Sequence, residues 1–149
     1  MTASIVKLGN DYMLWLGTPI DTPVFSVVKG QGTATINRSQ KKIDTSSKDT
    51  QGYATSAYGL KDLTIDLDIV PTLPDATGYT ALEALCNASP AAPFPIEIRK
   101  GGSAGTETDA IFSASVYGTI TSVAFTQDDK VTAKVQFALA AAPTVDALA

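Results

Sequence analysis

The sequence contains no histidine and a single cysteine, Cys86. Without histidine there is no Ser-His-Asp or Cys-His catalytic arrangement, and no zinc site built on imidazole or on several thiolates. One cysteine allows no intrachain disulfide, and the apolar neighbourhood of Cys86 marks it as a small buried side chain. Charge is scarce: Asp, Glu, Lys and Arg make up 17% of the 149 residues, below the usual quarter. A chain so poor in charge often covers part of its surface with partners. The net charge of −4 divides unevenly, +2 over residues 1–60 and −6 over residues 61–149. Tight nucleic-acid binding needs clustered basic residues that displace counterions, and no such cluster exists. No apolar run is long enough to cross a bilayer, so no membrane partner is expected. Met1–Asn10 lacks the apolar centre of a secretion signal, which points to synthesis in a cytoplasm. No phosphate-binding or dinucleotide glycine pattern occurs. The glycine-rich stretch Gly101–Gly105 has the wrong spacing for one and reads as a turn between strands. No cofactor is expected.

What the chain does have is strand-like patterning over a length that suits one domain, residues 1–149. Tyr12–Leu16 is a short aromatic-rich strand, followed by Pro19 and Pro23, which hold the chain extended. Val24–Val28 and Thr33–Arg38 are further strands, with a turn at Ser39-Gln40 and a short continuation to Asp44. Lys61–Val70 alternates strictly: Leu63, Ile65, Leu67 and Ile69 on one face, Asp62, Thr64, Asp66 and Asp68 on the other. Asp75–Ala88 is the one convincing helix, with Asp75 as N-cap and an apolar stripe of Tyr79, Leu82, Leu85 and Cys86. Phe94–Arg99, Ala110–Thr126 and Lys130–Ala140 complete the strands; the last two form a hairpin, with a bulge or bend at Gly118. Residues 141–149 form a tail without a core signal.

Residues 44–60 show neither the period of a strand nor that of a helix and read as a long polar loop. Loops of this length in a compact domain are usually functional or disordered. Tyr53 and Tyr58 favour function, because aromatic side chains in a polar loop are typical contact anchors. Asp66 and Asp68, two apart on one strand face, could in principle serve glycoside hydrolysis or hold a divalent cation. Strict alternation makes a solvated acidic sheet face the simpler reading.

The segment Lys41-Lys-Ile-Asp-Thr-Ser-Ser-Lys-Asp-Thr-Gln-Gly-Tyr53, followed by Gly59-Leu-Lys-Asp-Leu-Thr-Ile-Asp66, resembles the major tail tube proteins of long-tailed, siphovirus-like bacteriophages. The order of parts agrees: an opening strand, this loop, a helix near the middle and a closing hairpin. The resemblance implies a mainly β fold, a two-sheet sandwich or barrel with one flanking helix, and no catalytic residues. It implies a structural subunit of the virion tail, assembled in the cytoplasm of a bacterial host. Its partners would be copies of itself in stacked hexameric rings, the tape measure protein, tail tip and terminator proteins, and DNA that passes through without being held. On this reading Lys48, Asp49, Tyr53 and Tyr58 are candidates for contact between rings. Thr64, Asp66, Asp68 and Glu97 are candidates for the channel wall, where carboxylates would keep phosphates from sticking. A tail terminator, a decoration protein and a carbohydrate-binding β-sandwich using Trp15 or the loop tyrosines remain as alternatives.

Overall fold

The computed structural model describes residues 5–18 and 23–148; Pro19 lies outside them. The described chain forms eight strands, β1 (Tyr12–Thr18), β2 (Val24–Val27), β3 (Gln31–Asp44), β4 (Ser56–Ile69), β5 (Phe94–Lys100), β6 (Ala110–Phe125), β7 (Val131–Leu139) and β8 (Val145–Asp146), with one α-helix, α1 (Tyr79–Cys86). The first seven lie in one antiparallel sheet in the order β2-β1-β5-β6-β7-β4-β3, and β8 pairs with β6. The expected sandwich or barrel is thus a single sheet that curls until its apolar face encloses itself. Leu14 and Leu16 of β1, Leu63–Ile69 of β4, Phe94 and Ile96 of β5, Phe112 and Val116 of β6, and Val135 and Phe137 of β7 contribute to one core cluster.

Alternation decides which side chains enter that core. On β4 the odd positions from Leu63 to Ile69 are buried, while Asp66 and Asp68 stay exposed. On β6 an extra residue at Ile111 lets both Ile111 and Phe112 point inward, and a second at Thr121 keeps Val123 in phase with the core face. The irregularity therefore falls at Thr121 rather than at Gly118. Gly118 matters for packing instead. A Cβ there would lie 2.8 Å from both Cys86 Sγ and Phe94, so its absence lets α1 close onto β6. Burial pushes the Cys86 thiol up to about 11, leaving it unreactive at neutral pH.

Helix α1 is shorter than the sequence pattern predicts. It begins at Tyr79 because residues 75–78 form a tight turn, with the Gly78 and Thr80 amides donating to the Asp75 carbonyl. Asp75 is not the residue flanking the helix; Gly78 is. The Asp75 carboxylate still accepts from the Tyr79 amide, and also from the Lys29 amide, both at 3.1 Å. It thereby ties the helix start to the β2–β3 turn.

Three further expectations are corrected. The turn at Ser39-Gln40 does not form, because β3 runs unbroken from Gln31 to Asp44. The loop expected over 44–60 is shorter, 45–55 with a 3-10 turn at Lys48–Thr50, because Asp44 and residues 56–60 belong to the β3–β4 hairpin, paired out to Asp44 and Ser56. Their period is obscured because β4 carries an extra residue between Lys61 and Tyr58, which shifts the phase, and neither face of this part is buried. The C-terminal residues are docked rather than free. Val145–Asp146 pairs with β6, the Thr144 and Ala147 amides donate to the Ser113 and Ile111 carbonyls, and Arg38 grips the Asp146 carboxylate with both terminal nitrogens. That hydrogen-bonded guanidinium holds Asp146 below the usual carboxylate range. Backbone pairing and one ion pair leave no apolar signature to read.

The curl does not close by a ladder. Where β1 meets β3, the Gln31 side chain bridges the seam: the Leu14 amide donates to Gln31 Oε1 (2.7 Å), and Gln31 Nε2 donates to the carbonyls of Leu14 (3.0 Å) and Val28 (2.8 Å). A cleft of about 550 Å³ lies beside this bridge, over Leu14, Ile36, Ile98 and Ile111. Gln31→Ala strands the Leu14 amide and the Val28 carbonyl, while the Leu14 carbonyl keeps the Val28 amide, which predicts a loss of about 1–3 kcal/mol and a Tm lower by several degrees. Gln40→Ala removes only an exposed bond to the Gly59 carbonyl and should leave the melting curve unchanged; equal melting of the two variants would contradict the bridge.

Candidate functional site

Two surfaces stand out once the core face is accounted for. The first is the outward face of the central strands. Directly opposed residues of antiparallel strands share a face, so the register places Thr35, Asn37 and Ser39 of β3 beside Asp62, Thr64, Asp66 and Asp68 of β4. Lys134 and Gln136 of β7 come next, then Tyr117 and Thr119 of β6. Three carboxylates and one amine share this field of hydroxyls and amides. Asn37 Nδ2 donates to Asp66 Oδ2 at 2.7 Å, and Asp68 lies opposite Lys134. The face is polar, and most of its side chains on β3 and β4 are short.

Thr64, Asp66 and Asp68 are therefore brought together, but Glu97 is not with them. Arg99 Nη2 and Nε bind its Oε1 at 2.6 and 3.0 Å, and both side chains are buried. The Arg99 guanidinium stacks 4.5 Å from the Trp15 ring and 5.3 Å from Phe25, and Nη1 reaches the Gly105 carbonyl. A carboxylate so paired and covered offers no free charge to a channel, so Glu97 leaves the candidate set. Its place in a strand with a plain alternating pattern gave no warning: residues 101–109 fold back over a face that would otherwise be solvated. Trp15 is accordingly half-buried beneath Arg99 rather than displayed as a sugar platform.

The second surface is the distal β3–β4 hairpin. From Leu63, the last buried residue of β4, to Ser56 the strand runs a further seven residues, or roughly 23 Å. The tip is held by polar bonds. The Thr45 amide donates to the Thr55 carbonyl (3.0 Å), their hydroxyls pair at 2.9 Å, and the Thr55 amide donates to Ser46 Oγ at 2.8 Å. The Ser46 amide and hydroxyl hold the Asp44 carboxyl below its ordinary range. Lys48 and Asp49 sit in a 3-10 turn capped by Ser47, and Gln51 and Gly52 take left-handed conformations that return the chain. Tyr53, Tyr58 and Leu60 are 75%, 64% and 85% exposed. All four sequence candidates for contact, Lys48, Asp49, Tyr53 and Tyr58, are thus carried on one projecting arm. Sequence reasoning missed Ile43 and Leu60, which extend its apolar surface.

At the other end of β4, Pro71, Leu73, Tyr79, Val123, Phe125 and Val131 line an apolar groove. No sequence signal separates these from core residues, because Val123 and Phe125 keep the core phase beyond the point where the core ends.

Comparison with known proteins agrees with this architecture. The fold is similar to that of a chain in the tail of an empty gene transfer agent particle, refined with C6 symmetry, at a TM-score of 0.72 and 15% identity. The similarity covers 95% of this chain and 100% of that one. A chain from the virion of a native gene transfer agent particle matches at a TM-score of 0.70 and 16% identity, again over 95% and 100%. No curated protein sequence matches. The sequence model described as phage tail tube protein matches residues 6–145, nearly the whole chain, and this protein belongs to that family.

Proposed function

We propose that this tail tube subunit assembles into hexameric rings that stack head-to-tail around a channel for DNA, and that it performs no catalysis. The observation that carries the reading is the open sheet. Among the described residues, β3 pairs only with β4 and β2 only with β1, which leaves two edges on a chain that must be soluble only until it assembles. An unpaired fourteen-residue strand presents roughly seven N–H and seven C=O groups to solvent. Pairing of β2 and β3 edges between neighbours would join the polar faces into one continuous inner wall. Heterologous contacts of this kind close into a ring when the rotation permits and continue as a filament when it does not.

The face bearing Thr64, Asp66 and Asp68 then lines the channel. Its three carboxylates, Asp62, Asp66 and Asp68, outnumber its one amine, Lys134, so it does not hold phosphates, as passage of DNA requires. The C6 symmetry of the similar gene transfer agent tail supports six copies per ring. A tape measure protein inside the growing tube, and tip and terminator proteins at its ends, are the further partners of this reading. Asp66→Lys with Asp68→Lys keeps the sheet polar but reverses the wall's charge. The expected outcome is tubes of normal appearance that bind double-stranded DNA and release it with added salt; tubes indifferent to DNA would place that face elsewhere.

The β3–β4 arm joins one ring to the next. Asp44 and Ser56 are cross-strand partners, so replacing residues 45–55 with Asn-Gly shortens the arm without disturbing the core. The shortened chain should fold, melt near the parent temperature and make no long tubes by electron microscopy. Normal tubes from that chain would exclude the arm from ring-to-ring contact.

A further inference from the structure

The arm and the apolar groove occupy opposite ends of the same strand. β4 begins at the arm with Ser56 and ends at Ile69, where Pro71 and Leu73 follow, a span of roughly 43 Å. The β6–β7 turn lies at the groove end, since Ala133 is registered with Ile69 and Val131 precedes it. The groove encloses about 680 Å³ and is lined by Pro71, Leu73, Tyr79, Val123, Phe125 and Val131. Leu73 is 62% exposed and Phe125 80% exposed, so a large aromatic side chain stands in water beside a helix and a turn. Burying such a surface is favourable in proportion to its apolar area.

We infer that this groove is the receptor for the arm of a second copy, with Tyr53 and Tyr58 as the inserted side chains. This rests on the reading of the chain as a stacking tube subunit, and it supplies the surface that the arm meets. Three features select this occupant. The donor and acceptor are both apolar and exposed. They point in opposite directions along one strand, which is the geometry that adds copies head-to-tail without limit. Their charges are opposite in sign. Beyond Leu63 the arm carries Lys41, Lys42, Lys48 and Lys61 against Asp44, Asp49 and Asp62, whereas the groove end carries Asp75, Glu83, Asp128 and Asp129 against Lys29 and Lys130. Tyrosine suits the role, because a large rigid ring with a polar hydroxyl tolerates exposure before assembly and gives area after it. In this scheme the tube grows at either end through the same pair of surfaces.

The test uses full chains. Leu73→Asp with Phe125→Asp places charge in the groove at two largely solvent-exposed positions, and the variant's near-ultraviolet dichroism should match the parent's. Its critical concentration for tube formation should rise by about tenfold or more. Mixed with the shortened-arm chain, which keeps an intact groove, this variant keeps an intact arm. The mixture should give complexes with one junction and no long tubes. A second measurement needs no variant: hydroxyl-radical oxidation of parent tubes should fall together at Tyr53, Tyr58, Leu73 and Phe125 relative to the unassembled protein. The inference is overturned if the groove variant polymerises as the parent does, if the mixture shows no association, or if the tyrosines become protected while Leu73 and Phe125 stay open. Parent protein that forms neither rings nor tubes would instead count against the stacking reading itself.

Discussion

An antiparallel sheet with one apolar face must bury that face, and every backbone group along its margins must find a partner. This chain meets the first demand by curling and leaves water to meet much of the second. The curl gathers the core into one cluster with α1 laid against it, and the seam is bridged by the Gln31 amide in place of a ladder. A closed barrel would have no edges. A sheet held shut by a side chain keeps two, at β2 and β3, and so keeps the capacity to pair with other copies of itself.

The division of labour across the sheet follows from the same constraint. One face is committed to the core, so all interaction with other molecules falls to the opposite face, the edges and the ends. The opposite face is not uniform. Over β3, β4, β7 and β6 it is open and polar, whereas over β1 and β5 it is sealed by Arg99 between Glu97, Trp15 and Phe25. The seal neutralises the buried carboxylate and stiffens the sheet beside β2, one of the two strands expected to meet a neighbour. A buried ion pair of this kind sets geometry more than it adds stability.

Strict alternation made β4 legible down to the identity of its buried residues, Leu63, Ile65, Leu67 and Ile69, and helical spacing located α1 through Tyr79 and Leu82. The closing hairpin was legible for the same reason. Legibility failed where structure is held without burial. The strands of the arm, up to Asp44 and from Ser56, are paired on their backbone and solvated on both faces, and an extra residue near Gly59 shifts their phase, so no hydrophobic period survives. The docking of residues 144–147 rests on amides and on the Arg38–Asp146 pair, neither of which leaves a pattern. Glu97 misled in the opposite way: alternation says which side of a strand a residue occupies, but not whether a distant segment will cover that side. The groove at Leu73 and Phe125 was hidden because phase cannot show where a core stops. The arm's candidate contact residues were proposed from composition alone, because tyrosines in a polar segment suggest contact whether that segment is loop or hairpin.

The central claim is that the unpaired margins of this sheet are its working parts. Amide hydrogen exchange, compared between unassembled protein and tubes, tests it most directly. The account predicts that the outward amides of β2 and of β3, fast in the free chain, slow by about a hundredfold or more on assembly, while amides within β5 and β7 change little. Margins that exchange as fast in the tube as in the free subunit would contradict it.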